Sequence, residues 1–317
     1  MPNIRWPRHG SMQFWPRVRA RNETARVRTW APVKDVKPLG FAGYKVGMTH
    51  VIATDNRQHS MTKNQQISIP VSIIECPPLR IFGLRFYKNT VSLSQIFSDN
   101  LDKHLSKTLK LPKNKKATIP ESYDDIRLLA HTQPHLTGIG KKKPEIFELG
   151  IGGKKEDKLK FAQEKLGKEL LITEVFKDGA QVDIHAVTAG KGFQGPMKRF
   201  GIARRQHKSE KSIRNPGSLG GWQGQGQTMY RVAHAGKMGY HTRTEYNKQI
   251  LKIGKHDELA MKGGWLHFGA LKNPYVMIKG GIAGPQKRLI RLNMPIRPNP
   301  KFRDASPINY ISLESKQ

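Results

Sequence analysis

Ile67-Ser-Ile-Pro-Val-Ser-Ile-Ile74 carries an apolar side chain at every second position from Ile67 to Ile73. Side chains alternate faces along a strand, so this spacing makes one apolar and one polar face, the pattern of a half-buried β-strand. Pro77-Pro78 ends it. Upstream, Val46, Met48, Val51 and Ile52 fall in one run; downstream, Ile81, Leu84, Phe86 and Tyr87 mark another within 79–91. Residues 39–92 therefore read as successive strands. Ile172, Val175 and Phe176 precede Asp178-Gly179, and Val182, Ile184, Ala186 and Val187 follow it. Asp-Gly between apolar runs predicts a hairpin over 171–190. Trp265, His267 and Phe268, then Tyr275, Val276 and Ile278, then Leu289, Ile290 and Leu292 predict the last strands, within 257–317, with turns at Gly280-Gly281 and Gly284-Pro285. The fold class is mainly β.

Between 93 and 170 the period changes. Phe97, Leu101, Leu105 and Leu109 recur every four residues, one face of a helix that Ser94 or Ser98 would cap and Pro112 would stop. Lys113, Lys115 and Lys116, then residues 119–144, read as surface insertion. Leu159, Ala162, Leu166 and Leu170 predict a second short helix. Residues 93–170 are thus expected to be a small α-helical and loop insertion. No internal repeat is present.

The 317 residues include 56 Lys and Arg against 24 Asp and Glu, a formal net charge of +32. Such a charge opposes compaction unless a polyanion neutralises it, and nucleic acid is the commonest one. The single cysteine, Cys76, excludes a disulfide framework and every zinc site built on two or more thiolates. No apolar run is long enough to cross a bilayer, and residues 4–30 hold no continuous apolar core of the kind a signal peptide needs. A reducing cytosol is the expected compartment. The basic segments are rich in Gly and Pro, which argues against an amphipathic membrane-surface helix.

Two segments concentrate the charge. Residues 1–38 form an N-terminal arm with Arg5, Arg8, Arg17, Arg19, Arg21, Arg26, Arg28 and Lys34, and Trp6, Trp15 and Trp30 are interleaved with prolines. Guanidinium groups pair with phosphate and stack on bases. A solubilising tail would explain the charge but not three tryptophans, so the arm is expected to order on a partner. Residues 191–256 carry fourteen Lys and Arg and two acids, Glu210 and Glu245, with recurrent glycine and few large aliphatics. This stretch is too poor in apolar residues for a core of its own and reads as a long basic extension.

Little in the chain points to catalysis. There is no Walker phosphate loop and no nucleophile elbow. Gly190-Lys-Gly-Phe-Gln-Gly195 has dinucleotide-loop spacing, but Pro196 and Gly201 break the helix that must follow; backbone amides and Lys191 approaching a phosphate fit it better. His234 and His241 lack partners at metal spacing. His207, among Arg204, Arg205 and Lys208, suits a contact to phosphate, sugar or base, and a solvent-exposed loop histidine fits it equally. Asp124-Asp125 reads as an acidic surface turn. A nuclease needs clustered acids beside its basic groove, and none is found. Trp222 sits in Pro216-Gly-Ser-Leu-Gly-Gly-Trp-Gln-Gly-Gln-Gly-Gln227, where an indole on a glycine-rich tip favours base stacking over packing.

At these residues the chain resembles a known family. Phe176, Asp183, Ala186, Thr188, Gly190-Lys191-Gly192, Gly195 and Arg199 match the signature of the universal large-subunit ribosomal protein L three family. Gly40-Phe-Ala-Gly-Tyr-Lys-Val-Gly-Met-Thr49, Gly239-Tyr-His-Thr-Arg-Thr-Glu-Tyr-Asn-Lys248 and the stretch 279–292 agree with it, and the 93–170 insertion resembles the archaeal and eukaryotic form. The resemblance implies a translation-protein-type β-barrel seated on large-subunit rRNA, with arm and extension threaded into RNA. It implies a structural role, early in subunit assembly, and a loop directed towards the peptidyl transferase centre. Trp222 and Gln223 would form the tip of that loop. Residues 223–230 separate Trp222 from Arg231-Val232, which implies a longer tip. Expected rRNA contacts are the arm arginines Arg5, Arg8, Arg17, Arg19 and Arg21. In the extension they are Lys191, Lys198, Arg199, Arg204, Arg205, His207, Lys208, Lys211, Arg214, Trp222, Arg231, Lys237, His241, Arg243 and Lys248, with Lys287 and Arg288 beyond it. Expected partners are that rRNA and neighbouring large-subunit proteins, with no membrane and no small-molecule substrate. No cofactor is expected beyond structural Mg ions held through RNA. Two other classes compete: an RNA-modifying or RNA-cleaving enzyme, which lacks a catalytic cluster, and a DNA-compacting protein, whose charge would be expected on helices.

Overall fold

The computed structural model describes residues 9–110, 119–300 and 304–314. Its strands are β1 (Gly40–Thr54), β2 (Gln66–Glu75), β3 (Leu79–Lys88), β4 (Val91–Phe97), β5 (Asp125–His131), β6 (Ile146–Gly150) and β7 (Glu169–Leu170). They continue with β8 (Gln181–Val187), β9 (Phe193–Gln194), β10 (Gly236–Lys237), β11 (Thr242–Gly254), β12 (Tyr275–Lys279), β13 (Leu289–Asn293) and β14 (Ile308–Ile311). The α-helices are short: α1 (Lys155–Lys165), α2 (Ile172–Val175) and α3 (Pro196–Phe200). The chain divides into two compact units, residues 1–21 with 187–242, and residues 22–186 with 243–317.

The larger unit is built on a seven-stranded sheet in the order β13-β8-β11-β12-β2-β1-β14, and β13 also pairs with β1. The alternation in Ile67–Ile73 sets β2 against β1 with Val51 opposite Ile69 and Thr49 opposite Val71. Val51, Ile69, Val71 and Ile73 are all buried. Phe41, Tyr44, Val46, Ile290 and Leu292 join the same core. The predicted strands at 39–91, 275–278 and 289–292 are present.

Four expectations are corrected. First, residues 171–190 are not a hairpin. Ile172 and Val175 are three apart and buried on one side of a helical turn, and β8 pairs with β13 instead. Second, the 93–170 stretch supplies strands that join β3 in a second sheet, in the order β4-β3-β5-β6 with β7 on β3, and α1 is its one α-helix. The helix expected from Phe97 to Leu109 is absent. Residues 91–97 pair with β3, and a 3-10 turn, Lys103–Lys107, follows, capped by Asp102 rather than a serine: its Oδ1 accepts from the His104 amide at 3.0 Å. Leu105 is buried with Phe82 and Leu129, and Phe97 and Leu101 pack against them. Asp125 likewise opens an inner strand, β5, instead of sitting in a surface turn. The lysine cluster at 113–116 lies outside the described residues. Third, Trp265 and Phe268 sit in a tight turn, not a strand: the Phe268 and Gly269 amides donate to the Trp265 carbonyl. Fourth, the extension ends where β11 begins, at Thr242, so residues 242–254 belong to the sheet.

The arm also divides. Residues 22–38 pack on their own chain. Trp30 lies against Gly150, where a Cβ would come within 2.7 Å of the indole. The Leu39 amide donates to the Gly150 carbonyl and the Gly153 amide to that of Val33, both at 2.9 Å.

Glu75, on β2, is fully buried. Its Oε1 accepts from the Lys272 and Asn273 amides, each at 3.0 Å, and from Asn273 Nδ2 at 2.8 Å, while Oε2 is buried without a partner. Burial pushes the Glu75 carboxyl pKa up, and these donors hold it partly down. A carboxyl whose folded pKa exceeds its unfolded one costs stability once the pH rises through that window, and costs nothing below it. Glu75→Gln is therefore expected to be more favourable relative to wild type at pH 8 than at pH 4. Thermal melts across that range check this; a pH-independent difference would refute it.

Candidate nucleic-acid interface

The smaller unit is held at its neck by chain crossing, not by a core. Lys191 donates its amide to the Met238 carbonyl at 3.0 Å, and Met238 donates back to Gly192 at 2.9 Å. β9 and β10 then pair, Gln194 opposite Gly236 and Phe193 opposite Lys237. Gly192 (φ +66°) and Gly239 (φ +74°) take left-handed backbone, and a Cβ on Gly239 would run into the Ala189 carbonyl. The glycine-rich loop 190–195 is thus the neck of a two-stranded stem. The helix after it, α3, is five residues long and ends at Gly201 in the left-handed region, which removes the dinucleotide reading.

Above the neck an aromatic cluster joins residues 9–21 to the extension. Trp15 stacks on Phe200, with centroids 6.2 Å apart, and meets Tyr230 edge-on at 5.9 Å. The Arg17 guanidinium lies 4.3 Å from the centre of the Phe200 ring. The Ala20 amide donates to the Tyr240 carbonyl at 2.8 Å, and His241 Nδ1 sits 2.7 Å from the Val18 carbonyl. Arg199 ties the stem: its Nε donates to the Lys237 carbonyl at 3.0 Å and its Nη1 to the His234 carbonyl at 2.9 Å.

The expected contact residues fall into three groups by exposure. Arg19, Arg21, Lys191, Lys198, Arg204, His207, Lys208, Lys211, Arg214, Trp222 and Arg231 are exposed. Arg17, Arg199, Arg205 and Lys237 are half-buried, and His241 is buried. The half-buried and buried residues serve the fold as well, with Arg205 donating to the Pro216 carbonyl at 3.2 Å. Arg243, Lys248, Lys287 and Arg288 belong to the other unit. There Lys248 meets Glu245 at 3.1 Å, Arg288 lies 3.7 Å from Glu23, and Lys287 is exposed. Arg5, Arg8 and the side chain of Gln223 lie outside the described residues. Trp222 is 52% exposed on a 3-10 turn, Gly221–Gln225. Gly220, Gly221, Gly224 and Gly226 around it have nothing within 4 Å of where a Cβ would stand, so the tip's backbone is open from outside.

Described residues 9–21 and 187–242 carry thirteen Lys and Arg and one acid, Glu210. Like charges crowd: burial and then Arg19 push the Lys237 pKa down, as burial and Arg17 do for Arg199. Arg19, Arg21, Lys237, Gly190 and Tyr240 line an open cleft of about 810 Å³ with no carboxylate in its wall. Three exposed aromatics of this unit escaped the sequence reading: Phe14, Phe193, 77% exposed beside Lys191, and Tyr230. The available signal was the one that marked Trp222, an aromatic residue in a basic, glycine-flanked run. Among the described residues no three His, Cys, Asp or Glu side chains converge as a metal site, and no helix is long and apolar enough to cross a membrane.

The family model described as Ribosomal protein L3 matches residues 1–123 and 113–317. The chain belongs to the ribosomal protein L3 family. It is similar to the large ribosomal subunit protein uL3 of Methanobrevibacter smithii, with 45% identity over 329 residues and 98% of each chain covered. It is also similar to that of Methanosphaera stadtmanae (46% over 330 residues, 98% of each) and that of Archaeoglobus fulgidus (43% over 325 residues, 98% of each). As an L3 family member it is a ribosomal protein of the large subunit, acting in translation on the cytoplasmic ribosome. It is a structural protein and not an enzyme.

Proposed function

We propose that this chain binds large-subunit rRNA, supports early subunit assembly and directs residues 187–242 towards the peptidyl transferase centre with Trp222 and Gln223 at the tip. The observation that carries the reading is the ratio of thirteen cations to one acid among the described residues of the smaller unit. Lys and Arg at that density displace condensed counterions from RNA, which gives strong, salt-dependent affinity without reading sequence. An exposed indole among open glycines adds a stacking surface for an unpaired base. The neck and aromatic cluster supply rigidity, so the cations are held in place before RNA arrives. Structural Mg ions would reach the chain only through RNA. Neighbouring large-subunit proteins are its other partners.

The larger unit is read as a translation-protein-type β-barrel. Support comes from the pairing of β13 with both β8 and β1, which brings the order β13-β8-β11-β12-β2-β1 back to its start.

Sucrose-gradient sedimentation of a lysate, followed by a high-salt wash of the large-subunit fraction, tests the reading. The chain is expected to remain stoichiometric with the subunit after the wash. Release by salt, or migration free of the subunit, would overturn it. Trp222→Ala is expected to leave that retention intact and to slow tRNA accommodation and peptidyl transfer; unchanged rates would remove the tip from the proposal.

A further inference from the structure

Residues 22–28 and the five-stranded sheet enclose an open cleft of about 1000 Å³ that lies wholly within the larger unit. Among the described residues of its wall five are arginines, Arg26, Arg28, Arg85, Arg127 and Arg291, and one is an acid, Glu148. None of the five is among the rRNA contacts expected from sequence. Three of them are engaged in the fold. Arg85 and Arg127 share the Glu148 carboxylate, to which Tyr87 also donates at 2.7 Å, and Arg291 donates to the Ala25 and Glu148 carbonyls. One negative charge thus sits among three guanidinium groups. The acids just outside the cleft are taken. Asp125 meets Lys158 at 2.9 Å and Arg127 at 3.5 Å, and Glu23 lies 3.7 Å from Arg288.

Arg26 and Arg28 are the unengaged pair. Ala25 and Val27 are buried while Arg26 and Arg28 are exposed, the alternation of an extended segment. Neither arginine has an ion pair or a side-chain hydrogen bond among the described residues. Side chains two apart on extended backbone are spaced by roughly 6.6 Å, so the two forks stand in a row along the rim. The segment that carries them is fixed, because Arg291 joins Ala25 to β6 and Trp30 packs on Gly150. A fixed row of free cations over a wall that is itself net positive calls for a polyanion.

We propose that this cleft binds an unpaired stretch of RNA, with Arg26 and Arg28 on successive phosphates and a base on the face of Arg127. Two features select RNA over an acidic peptide. The Arg127 guanidinium lies 4.2 Å over the Tyr87 ring and spends its edge on carboxylates, so what it leaves to a ligand is a flat face. A base stacks on such a face, and an acidic side chain gains nothing from it. Asn22, Thr24, Thr90 and Ser92 add amide and hydroxyl groups whose side chains meet no partner among the described residues, and these suit ribose hydroxyls and base edges. A duplex keeps its bases inside and its phosphates on a convex surface, so a concave site favours a single strand. The choice of RNA as the polyanion rests on the ribosomal reading above; the cleft itself uses no residue of 187–242.

Photocrosslinking of the free full-length chain to a short thiouridine-containing oligouridylate, with the adducts mapped by mass spectrometry, tests this. Adducts are expected within 22–28 and 85–92 as well as in the extension. Arg26→Gln combined with Arg28→Gln is expected to lower the adducts within 22–28 and 85–92 about tenfold or more, since each arginine gives a charge-assisted hydrogen bond to phosphate. The same variant is expected to leave adducts within 191–237 and the main thermal transition unchanged, because both side chains are exposed. Polyglutamate and an RNA duplex of equal length are expected to compete poorly for the cleft. Adducts confined to the extension overturn the proposal and leave the ribosomal reading standing. So do cleft adducts that persist in the double variant. Displacement by polyglutamate as efficient as by unlabelled oligouridylate overturns it in favour of an acidic protein segment, and equal displacement by duplex removes the single strand. Release of the chain from large subunits by high salt, with cleft adducts still formed by the free chain, overturns the ribosomal reading alone.

Discussion

Replacing Arg291 by methionine is expected to lower the melting temperature of the larger unit by roughly 5–10 °C. Arg291 is buried on β13. Its Nη1 donates to the Ala25 carbonyl at 3.1 Å and its Nη2 to the Glu148 carbonyl at 2.6 Å. The guanidinium lies 4.7 Å from the Phe147 ring centre and 5.8 Å from that of Trp30. Burial pushes its pKa down, and the proximity of Glu148 opposes that shift. The Glu148 carboxylate is already engaged by Arg85, Arg127 and Tyr87, so Arg291 works through carbonyls and ring faces. Methionine keeps much of the volume but leaves two buried carbonyls without donors, at about 1–3 kcal/mol each. Removing a buried charge recovers part of that, so a net loss of roughly 2–3 kcal/mol is expected, and each kcal/mol moves the midpoint of a unit this size by about 2–4 °C. Residues 22–30 should detach first, because Arg291 joins Ala25 to β6. Calorimetry and limited proteolysis around Arg26 and Arg28 check the result. A melting point within a degree of wild type, with no new cleavage there, would show that Arg291 does not anchor the segment.

Phe200→Ala is expected to loosen the smaller unit while leaving the larger one folded. Phe200 is buried between Trp15 and the Arg17 guanidinium. A buried Phe→Ala replacement costs about 3–5 kcal/mol in a full core. Here it removes the centre of a small cluster that has little else to lean on. The charge density of the unit supplies only repulsion until RNA neutralises it. The expected result is rapid proteolysis at Arg204, Arg205 and Lys208 in the free chain, with the main thermal transition shifted by no more than about 1–2 °C. RNA binding should persist but with lower affinity, since the cations remain and only their preorganisation is lost. Unchanged proteolysis would mean that the stem alone holds the extension. Loss of the main transition would mean that the units do not melt independently.

The sequence by itself determined what depends on local pattern and on charge. Alternation at Ile67–Ile73 marked β2, the runs at 275–278 and 289–292 marked β12 and β13, and the apolar spacing from Leu159 marked α1. The cation-rich, core-poor stretch from Lys191 and the isolated Trp222 marked the candidate interface before any geometry was known, because charge density and a lack of aliphatics do not depend on folding. Tertiary structure decided the rest. Phe97, Leu101, Leu105 and Leu109 are four apart, which is nearly a helical turn, yet only Phe97 lies in a strand and Leu105 sits in a 3-10 turn. Pairing with β3 and burial of Leu105 against Phe82 and Leu129 settled the matter. The segment 1–38 looked uniform in composition, yet it splits near residue 21, because Trp30 found a glycine to pack on and Trp15 found Phe200. Arg199 and His241 were indistinguishable in sequence from the exposed cations around them. Only the fold shows their nitrogens meeting carbonyls of the same chain, because whether a cation faces a backbone oxygen or solvent depends on partners distant in sequence, such as Lys237, 38 positions on from Arg199.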